Sequence, residues 1–133
     1  MGEFIIKMLV TGGVFAVIDG IWLSIVANSF YKSQIGNLLL KQFNMGAAVA
    51  FYLIYIVGLI VFVISPALEK GSIKDALVYG ALFGFVAYAT YDLTNLATLK
   101  GYTLKLALVD MAWGTILTGS VSAIAVWILQ RWI

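Results

Sequence analysis

The sequence predicts an all-α integral membrane protein: four transmembrane helices in a compact bundle, with a short interfacial helix between the first and second. Three observations carry this. Of 133 residues, 63% are hydrophobic and only 11% charged, whereas soluble domains run near half apolar and a quarter charged. A core within a chain this short cannot hide so many apolar side chains from water. Finally, the apolar residues fall into four stretches, each long enough to cross a hydrocarbon layer of about 30 Å, which needs roughly 20 residues per helix.

The first stretch is Phe4 to Val26. Its length exceeds that of an ordinary signal-peptide core, Asp19 interrupts it, and no A-x-A site follows, so it reads as a retained helix. The connection from Ala27 to Asn44 is the only long one. Ile35, Leu38, Leu39, Leu40 and Phe43 alternate there with Lys32, Gln34, Asn37, Lys41 and Gln42, the pattern of an amphipathic helix lying at the interface. The second stretch, Met45 to Ser65, stops before Pro66, which cannot continue a regular helix. Glu69 to Ser72 then form a polar turn in which Ser72 is placed to cap the third helix. The third and fourth stretches are Asp75 to Thr98 and Leu104 to Leu129, joined through Lys100, Gly101 and Tyr102. The whole is a single domain.

Composition also excludes functions. Cysteine and histidine are absent, which removes thiolate chemistry, disulfide exchange and the usual zinc and haem ligands. A net charge of +2 gives no reason to expect a nucleic-acid partner. Orientation is undetermined. Lys7, Lys70, Lys74 and Arg131 stand on one side of the four-span topology, and Lys32, Lys41, Lys100 and Lys105 on the other.

The polar residues inside the spans are the informative ones. A carboxylate in a membrane helix costs roughly 2.5 to 3.5 kcal/mol on insertion scales, and Asp19, Asp92 and Asp110 all stand well inside their stretches. Asp19 is seven residues from the end of its stretch, and Asp92 and Asp110 are six from theirs, all counted from the same membrane face. At 1.5 Å per residue they share a depth of about 9 to 10 Å. Small residues recur at helical spacing beside each of them: Gly12, Ala16 and Gly20 in the first stretch; Gly80 and Gly84, in one row with Tyr88 and Asp92, in the third; Gly114, Thr118 and Ser122 in the row of Asp110. Such rows let membrane helices approach closely. Each Asp is therefore expected to look into the bundle, where the three line one polar pocket with Asn95, Thr94 and Tyr88 nearby and Trp22 or Trp113 in its wall. Like charges without a counter-ion in a low dielectric favour holding a proton or a cation.

The run Tyr91-Asp92-Leu93-Thr94-Asn95-Leu96-Ala97-Thr98-Leu99-Lys100-Gly101-Tyr102, followed by Asp110 and Trp113-Gly114, resembles a small bacterial membrane-protein family, domain of unknown function 2177. Asp19-Gly20-Ile21-Trp22-Leu23 fits the same family, so the resemblance spans nearly the whole chain. Asp92, Thr94, Asn95, Asp110 and Trp113 carry over by position, as do Asp19 and Trp22; Tyr102 stands where a Trp is expected. The resemblance implies a place in the bacterial cytoplasmic membrane and brings no activity with it.

The residues themselves support three functions. The first is binding or transport of a small cationic or polar ligand, with proton exchange on the carboxylates and, since four helices are few for a pathway, a homodimer. The second is a helper or scaffold subunit of a membrane complex. The third, ranked last, is a lipid-modifying enzyme in which the three Asp and Asn95 hold a divalent cation; no phosphate-binding loop is present, and the sole arginine is Arg131. No catalytic residue or cofactor is evident. The bilayer is the one partner the composition requires.

Overall fold

The computed structural model describes residues 2–27, 30 and 45–132. The expected interfacial helix falls wholly outside the described residues. Four helices are long and apolar enough to cross a membrane, and no strand occurs among the described residues. Helix α1, Gly2–Trp22, runs on through a π-helical turn, Leu23–Ala27. Helix α2 spans Met45–Lys70, α3 Ile73–Thr98 and α4 Leu104–Trp132.

Local chemistry explains the ends. In α1 the Ser24 hydroxyl donates to the Gly20 carbonyl at 2.5 Å, competing for the acceptor a backbone N–H would use, and the helix widens into its π turn there. Contrary to the sequence reading, α2 does not stop at Ser65. It opens into a second π turn at Ile60–Ile64 and then continues as Ser65–Lys70, with Pro66 in the first turn of that segment. At the start of a new helical segment a missing N–H does no harm, so the proline marks a change of register instead of an end. The stop comes at Gly71, whose φ of 65° is left-handed. Its N–H donates to Leu68 O, and that of Ser72 to Ala67 O, the paired bonds of a glycine-terminated helix. The Ser72 hydroxyl accepts from the Asp75 N–H at 3.0 Å, capping α3 as its sequence position predicts. Gly101, at φ 81°, turns the chain between α3 and α4, and Thr103 Oγ1 caps α4 by accepting from Leu106 N–H.

Helix α4 is the centre. It buries Leu106, Ala107, Leu117, Val121, Ala125, Val126 and Leu129, and its pairing with α3 is the most extensive in the protein. The small residues drive that closeness. A Cβ on Gly80 would lie 2.5 Å from Ser122 Oγ, and one on Gly84 2.3 Å from the Gly114 carbonyl oxygen. The rows read from the sequence in α3 and α4 therefore face one another.

In α1 the packing row is a different one. Thr11, Phe15 and Asp19 are buried, whereas Ala16 and Gly20 are exposed, and a Cβ on Gly12 or Gly20 would meet nothing within 4 Å. The reason is size. Phe15 inserts between α1 and α2, its ring centroid 5.3 Å from those of both Tyr52 and Tyr55, and holds the helices at a distance at which glycines cannot touch. The outer surface carries Leu9, Val17, Ile25, Ile54, Phe62, Leu82 and Ile116, all exposed. In water this would be untenable; in hydrocarbon it is the matching surface.

Candidate functional site

The helices part at the end where α1 finishes, α2 begins, and α3 turns into α4. The N-terminal half of α2 touches α1 only sparsely, and a partly open cavity of about 510 Å³ remains between the four helices. Its wall is mostly aromatic: Trp22 from α1, Phe51 and Tyr52 from α2, Tyr88 and Tyr91 from α3, Tyr102 from the connection and Trp113 from α4. Two acidic residues, Asp19 and Asp110, also line it. Both are buried, at 7% and 9% exposure.

Trp22 and Trp113 stack face to face, with centroids 4.3 Å apart and planes 8° from parallel. This stack bridges α1 and α4 beside the cavity and fixes the rotation of both helices. The Trp113 indole N–H donates to Asp19 Oδ1 at 3.3 Å, so α4 supplies the polar partner that keeps Asp19 turned inward. Tyr88 lies against Gly114, where a Cβ would meet its ring at 2.2 Å. A glycine there is what lets the tyrosine reach the cavity.

Asp92 stands differently. It is fully buried and is absent from the cavity wall. The Tyr102 hydroxyl donates to its Oδ1 at 2.6 Å, while Oδ2 is buried without a hydrogen bond among the described residues. Its acidic neighbour is Asp110, and Asp110 also acts electrostatically on Asp19. Asp110 thus interacts with both other acidic residues; Asp19 and Asp110 line the cavity and Asp92 does not. Burial, and next the Asp92 carboxyl it bonds, push the Tyr102 hydroxyl above the ordinary tyrosine range. Tyr102 is therefore a neutral donor at any physiological pH.

Of the other residues singled out from sequence, Trp22, Trp113 and Tyr88 line the cavity. Asn95 is half-buried and interacts with Tyr91 and Tyr102 behind it. Thr94 is exposed, on the outer side of α3. Sequence reasoning missed Phe51, Tyr52, Tyr91 and Tyr102 as wall residues; the available signal was the crowding of aromatics at the depth of the carboxylates, which equally fits an interfacial belt. No group of three His, Cys, Asp or Glu side chains among the described residues is placed to hold a metal ion.

Fold and site together define a membrane protein, helical throughout its four candidate spans, with a cavity lined by aromatic and acidic residues near one end of its helices. The chain belongs to the family described as "Predicted membrane protein (DUF2177)", whose profile matches residues 4–127. No curated protein and no solved structure matches it.

Proposed function

We propose that the protein binds a small cationic ligand in this cavity and carries it across a bacterial cytoplasmic membrane in exchange for protons. One observation carries the reading: two buried acidic residues, Asp19 and Asp110, line a cavity whose other described lining residues are largely aromatic. Carboxylates attract a cation. Aromatic faces hold one that cannot accept or donate hydrogen bonds, as a quaternary ammonium cannot, with attraction acting within about 6 Å of the ring. The volume of about 510 Å³ falls in the ordinary range for small-molecule sites. Asp92 is the group to which we assign the exchanged proton. It lies beside Asp110 but outside the cavity, so it can trade a proton with Asp110 without meeting the ligand.

The test is equilibrium binding of tetramethylammonium to the protein in lipid nanodiscs, followed by tryptophan fluorescence of the Trp22–Trp113 stack. Saturable binding, lost in Asp19→Asn, is expected. An equal response from the variant, or from a neutral isostere of the ligand, overturns the reading.

A further inference from the structure

A second cavity, of about 420 Å³, runs between α1 and α2. It shares Asp19, Leu23 and Tyr52 with the first, so the two adjoin at these residues. Their linings differ sharply. Beyond Asp19 and Tyr52 the second is apolar, walled by Met8, Phe15, Val49, Leu53 and Ile56. It exists because Gly12, Ala16 and Gly20 line its floor; a Cβ on either glycine would meet nothing within 4 Å. Val49, Leu53 and Leu23 are exposed, so the groove faces hydrocarbon. From Met8 to Asp19 it follows about 16 Å of helix.

Asp19 sits at the junction. It is more than nine-tenths buried, and it accepts a hydrogen bond from the neutral indole of Trp113. No ion pair neutralises it among the described residues. Charge complementarity asks for a cation at that point, and the groove asks for an apolar chain attached to it.

We infer that the ligand is a single-chain amphiphile with an alkylated ammonium head, taken laterally from the bilayer, its alkyl chain lying in the α1–α2 groove. The inference rests on the cation reading of the aromatic cavity and names its substrate class. Lateral entry has a physical advantage over entry from water. The alkyl chain passes from lipid to groove without leaving apolar surroundings, and the head exchanges the interface directly for carboxyl groups and ring faces. A short, fully water-soluble cation needs only the first cavity.

The experiment compares tetramethylammonium with decyltrimethylammonium in phosphatidylcholine nanodiscs, using wild type, Gly20→Leu and Gly13→Leu. Leucine at Gly20 fills the groove. Leucine at Gly13, an exposed α1 position outside both cavities, controls for added bulk, and open space at both positions makes loss of folding unexpected. Expressing affinity per mole of lipid cancels simple partitioning. Gly20→Leu should weaken the decyl ligand at least about tenfold while tetramethylammonium changes by less than about twofold; Gly13→Leu should change neither. If wild type fails to bind tetramethylammonium, the cavity reading falls and this inference with it. If tetramethylammonium binds but Gly20→Leu affects both ligands alike or neither, only the amphiphile inference falls. A Gly20→Leu chain that changes from dimer to monomer without altering the ratio makes the groove a self-association surface, which overturns it equally.

Discussion

Two glycines that look equivalent in the sequence should respond oppositely to the same methyl group. On Gly84 a Cβ would lie 2.3 Å from the Gly114 carbonyl oxygen and 2.5 Å from Thr118 Oγ1. Ordinary contact begins at 3.4 Å, so α3 and α4 must separate by the difference, about 1.1 Å. The obstacle is backbone, so no rotamer change relieves it. A gap of that size forfeits roughly a quarter to a half of each contact's dispersion energy along the seam, and overpacking of this kind costs about 1–3 kcal/mol. Against it stands the helix-propensity gain of alanine over glycine, about 1 kcal/mol. Taking the upper half of the overpacking range, Gly84→Ala should lose about 1–2 kcal/mol. At Gly20 nothing lies within 4 Å, only the propensity term remains, and Gly20→Ala should gain about 0.5–1 kcal/mol. Unfolding by dodecyl sulfate in mixed micelles, followed by circular dichroism, measures both. Equal effects from the two substitutions, within about 0.5 kcal/mol, would refute the assignment of the close seam to α3 and α4.

Two further outcomes follow from polar contacts. Tyr102→Phe leaves Asp92 Oδ1 buried without its donor, and should cost about 1–3 kcal/mol. Because the fold holds the Tyr102 hydroxyl above its ordinary value, its contribution is full below the unfolded value near 10 and declines as pH rises past it. The gap between wild type and Tyr102→Phe should therefore narrow above about pH 10, and a gap that stays constant there counts against the Tyr102–Asp92 bond. Ser72→Ala removes the cap on α3 and should lower stability by about 0.5–2 kcal/mol, with Ser72→Asp restoring most of it; thermal melts of the three proteins in one detergent decide the matter.

Much of this architecture was legible in the sequence because membrane helices obey few rules. Length and hydropathy set the four spans, and the cap at Ser72 could be read from residue type alone. The polar positions inside the spans led to Asp19 and Asp110, which line one cavity, and in α3 and α4 the small-residue rows gave the rotation too, since Gly80 and Gly84 meet backbone and Gly114 meets the Tyr88 ring. In α1 the same logic misled. Rows 11/15/19 and 12/16/20 are one residue apart, a rotation of about 100°, and the glycine row looks the better packing face. What selects the other is Phe15 against Tyr52 and Tyr55, together with the Trp22–Trp113 stack: aromatic contacts between helices distant in sequence, invisible in any single span.

That misreading bears on the site itself. Had α1 packed through its glycines, α1 and α2 would lie at glycine distance and leave no room between them. Because large rings hold α1 off instead, the glycines face an open groove, and the space beside the Trp22–Trp113 stack stays unfilled. The same ring-mediated packing turns Asp19 toward α4, where Trp113 meets it. Close seam and open groove are thus two uses of one residue type. Glycines brought against backbone let α3 and α4 pack closely, and glycines left without neighbours leave the α1–α2 side with an open groove.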